Sequence, residues 1–519
     1  MIWDFFMEYK NKDRIGFFLF LILFSVFLMF LVSAQSNPRI LFSNESLISS
    51  SNNSTQRVMY PSVATDSQRN VHIIWMKEFS LIGEIFYSKL DKDGNLLIDN
   101  RQLSNFSGVH GFTSDIAVDR WDNVHIIWDY DKTGTSLHGS RYTRLDSLGN
   151  IVVDGVLLPR NTLGSKLVLD SQGDLHLTNG FIYQKFDNLG NALTQEVILG
   201  NFTQWEPLES GIVVDSNDNA HIVWMEESIN NTRNPDSRIK YSKIDNNGSF
   251  VVSDTQLDIE LNYSYSPSIA VDKQDSVYIS WHSGQGNFES NYLSKINKNG
   301  TFSIDRKQFI SRNIGNGVIG VDPLGNINFI GDGHSFLQLN STGDLVVGPF
   351  ISAIWIGSSA PRITIDRQGG IHYVWHVYNN DLNRYWIMYR KSLNPATISL
   401  TGVPKIGSKV DFEIEDIYGV NTSYYFGLSL GNLPGMNLAD GRNVPLNDDY
   451  ILRSSLGSPN NMGLVNSVGR LDSNNQATIS FNIPNISSLN GTRLYGSFIT
   501  VDSQNRIISI ADSIEFTVV

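Results

Sequence analysis

Between Pro61 and Lys391 one pattern recurs seven times: an apolar strand ending in Asp, a tight turn, a strand carrying His and Trp, and a third strand closing on a second tight turn. The clearest copies read PSVATDSQRNVHIIW, SDIAVDRWDNVHIIW, GIVVDSNDNAHIVW, PSIAVDKQDSVYISW and PRITIDRQGGIHYVW, with fainter ones at KLVLDSQGDLHLTN and VIGVDPLGNINFI. The anchoring residues are Asp66, Asp119, Asp170, Asp215, Asp272, Asp322 and Asp366, six steps with a mean period of about 50 residues. A unit of that length built only from strands and turns cannot bury its apolar faces alone; it must stack against copies of itself in a radial array.

Within one unit, alternation sets the strands. Val71, Ile73 and Trp75 fall on one face and His72 and Ile74 on the other, and both faces are largely apolar, as a strand covered on both sides requires. Asp and Asn in the first turn bond their own backbone. The third strand, Ile85 to Leu90, ends in Asp91-Lys92-Asp93-Gly94-Asn95, where Gly suits a left-handed position. A fourth strand follows, such as Leu96 to Leu103. Four antiparallel strands per unit and seven units predict an all-β chain: a seven-bladed β-propeller over residues 38–393. The seventh unit lacks a fourth strand of its own, and Pro38 to Ser43 is expected to supply it and close the ring, with Asn44 to Gln56 as a polar connection. The C-terminal residues 394–519 carry no copy of the repeat; strand-like runs between Gly-, Asn- and Pro-rich turns predict a β-sandwich accessory domain without helix.

This direction of tracing sorts the connections. Short Asp-x-x-Gly-Asn turns fall on one face of the disc, and longer segments on the other: Met76 to Gly83, Asp129 to Ser140, Met225 to Arg238, His282 to Asn291 and His376 to Arg384. Variable loops on a rigid scaffold are where binding tends to sit. The candidate ligand-binding residues are therefore Asp129, Tyr130, Asp131, Glu226, Glu227, Arg238, His282, His376 and Tyr378, with Asp236 and Asp381 nearby.

Composition narrows the partners. A net charge of −13 with no basic stripe excludes nucleic acid, which needs clustered cations. Cysteine is absent, so disulfides, thiolate metal sites and cysteine nucleophiles are excluded. Lys10, Lys12 and Arg14 precede an apolar run from Ile15 to Val32, and Val32-Ser33-Ala34 resembles a cleavage site. Residues 1–34 thus read as a hydrophobic helix, a signal peptide or a membrane anchor, that sends the rest of the chain outside the cell. Sequons at Asn105, Asn201, Asn230, Asn262 and Asn421, among others, are glycosylation candidates for an exported glycoprotein.

The recurring His72, His125, His176, His221 and His372 are spread one per blade, so they cannot converge on a metal. A polar group bonding a neighbouring blade is the simpler reading, and Trp75, Trp128, Trp224, Trp281 and Trp375 read as packing between blades. Asp91-x-Asp93-x-Asn95 has the alternation of a calcium loop, but its counterparts lose the middle carboxylate, and hairpin chemistry accounts for all of them. No cofactor is expected, with calcium at that one turn as the alternative. No catalytic motif with fixed spacing occurs; two carboxylates across the ring mouth would be the arrangement for glycoside chemistry.

The repeat at Pro267 to Trp281, followed by Tyr292-Leu293-Ser294-Lys295-Ile296, resembles those of exported prokaryotic β-propellers of the sialidase-like, BNR-type superfamily. Pro38-Arg39-Ile40 and Pro361-Arg362-Ile363 are present, but not Arg-Ile-Pro, and the Asp turns lack the Ser-x-Asp-x-Gly-x-x-Trp spacing. The resemblance implies the fold without the sialidase catalytic motifs. The expectation is a non-catalytic surface or secreted protein presenting its variable face to a glycan or protein ligand. The rival is a carbohydrate-active hydrolase or lyase using acidic residues at the propeller mouth.

Overall fold

Each anchoring aspartate builds its own turn. Asp66 Oδ1 accepts the backbone N–H groups of Gln68 at 2.9 Å and Asn70 at 2.8 Å, fastening a hairpin before the next strand. The same two bonds recur at Asp119, Asp170, Asp215, Asp272, Asp322 and Asp366. Asp91 does this in the second turn, accepting from Asp93 N, Asn95 N and Asn95 Nδ2 at 2.8–2.9 Å. Both of its carboxylate oxygens are engaged by the hairpin, which explains the calcium-like alternation there. Among the described residues no group of three or more His, Asp or Glu could hold a metal.

The computed structural model describes residues 42–519 except 52–55, 80–81, 105–108, 133–137, 159–165, 201, 230–235, 260–262, 285–289, 312–314, 316, 332–334, 352–360, 418–421 and 439–441. Up to Lys391 the chain forms seven four-stranded antiparallel sheets in a propeller-like array. The first contains Val58–Thr65, Val71–Phe79, Ile82–Leu90 and Leu96–Gln102 in that order. The first strands of the other six are Val109–Val118, Lys166–Leu169, Trp205–Val214, Ser264–Val271, Gly317–Val321 and Arg362–Ile365. Each lies against the first strand of the next sheet, and Arg362–Ile365 lies against Val58–Thr65, so the circuit closes on itself.

What holds neighbouring sheets together is apolar. Seven buried clusters each join one sheet to the next, and one of them joins the seventh to the first through Val374, Ile387, Tyr389, Val71, Ile73 and Trp75. The five recurring tryptophans, all 0–1% exposed, sit in these clusters, as expected of packing groups. Polar clamps reinforce the turns. Lys89 Nζ reaches Ser147 O of the second sheet, Lys185 Nζ reaches Asn246 of the fourth, and Lys391 Nζ reaches Lys92 O of the first at 2.6 Å. Ser67, Ser171 and Ser216 each donate N–H and Oγ–H to an aspartate of the next sheet: Asp122, Asp218 and Asp275. Those aspartates hold left-handed backbone (φ 60–65°), where glycine stands in the third, sixth and seventh sheets.

Three expectations need correction. The strand that completes the seventh sheet is Ser46–Ser50, paired antiparallel with Arg384–Lys391, and not Pro38 to Ser43. Phe42 makes only an isolated bridge to Ser392, and residues 38–41 lie outside the described residues. Second, the histidines bond within their own sheet instead of reaching a neighbouring one. His72 Nδ1 lies 2.8 Å from Tyr87 Oη and Nε2 lies 3.2 Å from Asp66 Oδ2. A carboxylate only accepts, so Nε2 carries the proton and Nδ1 accepts from the tyrosine. Third, the C-terminal region contains a helix, Tyr450–Gly457, where Asp449 caps the N-terminus by accepting from Leu452 N.

That region otherwise forms two larger antiparallel sheets and a two-stranded ribbon of Met436–Asn437 and Asn443–Val444. One holds Ala396–Thr401, Lys409–Asp416, Gln476–Asn482 and Leu464–Val465; the other is centred on Ser423–Ser429 and Arg493–Val501. Phe412, Ile479 and Phe481 of the first meet Phe426, Phe498 and Phe516 of the second in one buried cluster. The region touches the short-turn end of the ring where the circuit closes. Arg69 Nε bonds Asp366 at 2.9 Å and its Nη1 bonds Asp512 at 2.5 Å, while Gln368 donates to Asn443 O.

Candidate functional site

The residues expected in long loops are instead strand residues, because the second and third strands of each sheet stay paired well past the tryptophan. Asp129, Tyr130 and Asp131 pair with Ser140, Gly139 and His138. Glu226 and Glu227 pair with Arg238 and Ser237, His282 with Asn291, and His376 and Tyr378 with Ile387 and Tyr385. This pairing occupies most of their chemistry. Buried Glu226 is bound by Arg238 Nε and by Trp224 Nε1 at 3.4 Å, and the Arg238 guanidinium lies 3.8 Å over the Trp205 ring. Asp129 accepts from Ser140 Oγ at 2.6 Å. Tyr378 donates to Asn383 Oδ1, and His282 meets Asn291 at 3.4 Å and the Tyr265 ring at 5.0 Å. Asp381 is exposed. The side chains of Tyr130 and Asp131 lie outside the described residues, as do Asn105, Asn201, Asn230, Asn262 and Asn421.

Of this set, Asp129 acts electrostatically on Lys166, and His376 feels the charge of Arg362. Lys166 and Arg362 line a central cavity of about 770 Å³ formed by all seven first strands. Its volume is ordinary for a small-molecule site, about 300–1,000 Å³. The lining includes the position four residues before each anchoring aspartate: Ser62, Asp115, Lys166, Gly211, Ser268, Val318 and Arg362. In register it is one position, always two places from the His-equivalent residue across the ladder.

That position also links successive first strands. Ser62 Oγ donates to Asp115 Oδ1 at 2.9 Å, Leu167 N donates to Asp115 Oδ2 at 3.2 Å, and Ile319 N donates to Ser268 Oγ at 3.0 Å. Lys166 of the third sheet has no hydrogen-bond or ion-pair partner among the described residues. Burial holds its amine down at about 8, and the guanidinium of Arg362 adds to this against the pull of Asp115, Asp129 and Glu209. Arg362 makes one 3.4 Å bond, to Pro361 O. It also helps burial push His376 down to about 4, and His376 stands 6.2 Å from the ring of Tyr60 at the rim.

Lys166, Arg362, Asp115, Glu209 and Tyr60 were not singled out from the sequence. A signal existed: in an otherwise apolar first strand, one fixed position changes from Ser to Asp to Lys to Gly to Arg between copies. The residues that repeat build the ring. The one that does not repeat is free to meet something else.

No protein-family model matches the chain. No curated protein matches it either. Among solved structures it is similar to a protein of unknown function from Dyadobacter fermentans (8% identity, TM-score 0.44, 69% of this chain and 100% of that one). It is similar to an ulvan lyase of a polysaccharide lyase family (10%, 0.42, 65% and 95%) and to a gluconolactonase from Xanthomonas campestris (15%, 0.31, 68% and 98%). At these scores none of them bears on what this chain binds.

Proposed function

We propose that this chain is an exported binding protein, a seven-bladed β-propeller with a β-sandwich appended, whose ligand enters the central cavity from the face of the longer connections. Closure of seven four-stranded sheets into one circuit supports the propeller reading, and a cluster shared by two C-terminal sheets supports the sandwich. The observation that carries the binding site is the cavity itself, about 770 Å³ and lined with donors that the protein does not use. The acidic groups farther out on the same face are engaged with Arg238, Ser140 and Trp224. The apolar run at 15–32 supports export. Among the described residues no helix is long and apolar enough to cross a membrane. A thermal-shift screen of the full chain against sugars, sugar acids and peptides tests the site. Glu209→Trp at the mouth should abolish any binding found; a hit indifferent to it but lost on Glu227→Ala or Tyr378→Ala would move the site to the outer rim.

Lys166 favours one second reading. An amine held at about 8 in a cavity falls in the range of a general base, which would suit a sugar-active enzyme. Turnover of chromogenic glycosides or a rise in ultraviolet absorbance from polyuronate elimination, lost on Lys166→Gln, would establish it.

A further inference from the structure

We infer that the central cavity recognises an oxyanion, a carboxylate or sulfate carried on a compact hydroxyl-bearing ligand such as a sugar acid, held between Lys166 and Arg362. The inference rests on the cavity being the binding site. It starts from topology: the third and seventh sheets lie on opposite sides of the circuit, so the two cations face each other across the enclosed space.

The hydrogen-bond inventory points one way. Asp115 already accepts from Ser62 Oγ, Leu167 N and Ile116 N, and Asp129 accepts from Ser140 Oγ. The cations are under-used by comparison. An ammonium has three donors and a guanidinium five, and here they make a single 3.4 Å bond between them. Donors in excess of acceptors ask for an acceptor. A carboxylate or sulfate satisfies both cations at once, and the planar guanidinium fork suits its geometry. Arg362 acts on Lys166 more strongly than any one of the carboxylates around it, and an anion between the two cations turns that repulsion into two attractions.

The rest of the ligand is indicated at the mouth. Glu209 is exposed and lines the cavity, and Tyr60, 46% exposed, stands over its rim beside His376. A carboxylate acceptor and an aromatic face at the entrance fit the hydroxyls and ring of a sugar better than a fully apolar acid. Affinity should also depend on pH. The groups facing Lys166 are Arg362, Asp115, Asp129 and Glu209, with His376 beyond Arg362. As pH rises through about 8 the amine loses its proton, and affinity for the anion should fall.

The test is titration calorimetry on the full chain at low salt with sodium glucuronate, glucose as its uncharged counterpart, and sodium sulfate as competitor. Glucuronate is expected to bind at least tenfold more tightly than glucose, and sulfate to compete. Lys166→Gln and Arg362→Gln should each weaken glucuronate about tenfold or more, the worth of one charge-assisted hydrogen bond. Lys166→Arg should recover most of the loss, which a folding defect would not allow. If sulfate binds and glucuronate does not, the oxyanion site stands and the ligand is a sulfate ester. If glucose binds as well as glucuronate, or neither anion binds, the proposal is overturned. Failure of the two readings is distinguishable: binding lost on Glu209→Trp but unaffected by Lys166→Gln overturns only the anion, whereas binding indifferent to Glu209→Trp overturns the cavity.

Discussion

Five of the seven sheets carry a buried Asp–His–Tyr chain, and the fifth and sixth do not. In the five, the histidine lies 3.2–3.4 Å from its aspartate and 2.7–2.9 Å from its tyrosine. In the fifth, Tyr278 replaces the histidine and bonds Asp272 directly at 3.0 Å, while Leu293 stands where the tyrosine would be. In the sixth, Asn328 takes its place, bonds Gln338 at 2.9 Å, and Phe336 replaces the tyrosine. Histidine and tyrosine are present together or missing together. A buried imidazole needs a donor for Nδ1, and a buried hydroxyl without the imidazole would be left unsatisfied.

The electrostatic consequence differs in sign. Burial alone would raise Asp66 and Asp119, but hydrogen bonds from the histidines and from Asn70 and Asn123 hold both at about 2. Asp322 of the sixth sheet, without a histidine, is raised by burial, which its hydrogen bonds offset only in part. The same aspartate in the same turn is thus stabilised as an anion in the first and second sheets and penalised in the sixth.

Neutralising an aspartate of each kind should have the largest effect. Asp366→Asn removes the partner of His372 and buried Arg69, and should cost about 3–5 kcal/mol in urea unfolding, as breaking a buried ion pair does. Asp322→Asn should cost less than about 1 kcal/mol, within the worth of one neutral hydrogen bond. Equal losses would show that the turn bonds matter and the histidine does not. Next in size, His221→Leu strands Tyr241 and part of Asp215 and should cost about 1–3 kcal/mol, whereas Tyr278→Phe should cost about 0.5–1.5 kcal/mol.

His72, His125 and His221 are held below their ordinary value by burial. The unfolded chain then binds protons that the folded chain does not, so stability is full above about pH 6.5 and declines as pH falls below it. Asp322 acts oppositely, its penalty easing as it protonates. Melting temperature should therefore fall from pH 7.5 to 5.5, and fall less in His221→Leu; a flat profile would mean that the buried rings titrate as in the unfolded chain, and a rising one that they are charged when folded. The smallest effect is expected from rebuilding the chain in the sixth sheet. Asn328→His and Phe336→Tyr should each destabilise, but together couple favourably by about 0.5–3 kcal/mol.

The repeat was legible because its function is architectural: Asp66 and its six counterparts, the tryptophans and the turn glycines recur wherever the same bond is needed. Three things were harder to read. Apolar content points to Pro38 to Ser43 as the closing strand, yet Ser46–Ser50, with only Ile48 and Ser49 buried, does the pairing, because the outermost strand of a sheet needs little apolar surface. The histidine partners could not be seen, since the tyrosine two places before Lys89 or Lys243 acquires meaning only through cross-strand register. Recurrence does not reveal the cavity residues, because Lys166 and Arg362 stand where it fails. Asp129, Glu226 and Arg238 looked available for the opposite reason: the sequence does not reveal how far a strand pair continues beyond its tryptophan.

Closure of the circuit has a consequence for how the molecule comes into being. Tyr385 N bonds Ser51 Oγ across 334 positions and Lys391 N bonds Ser43 Oγ across 348. Bringing such distant segments together carries a loop entropy on the order of 5 kcal/mol, and those bonds give nothing back until the intervening sheets exist. The junction between the first and last sheets is therefore the last to form and the first to open. Hydrogen exchange at Ser46–Ser50 should run ahead of that in any of the six other sheets.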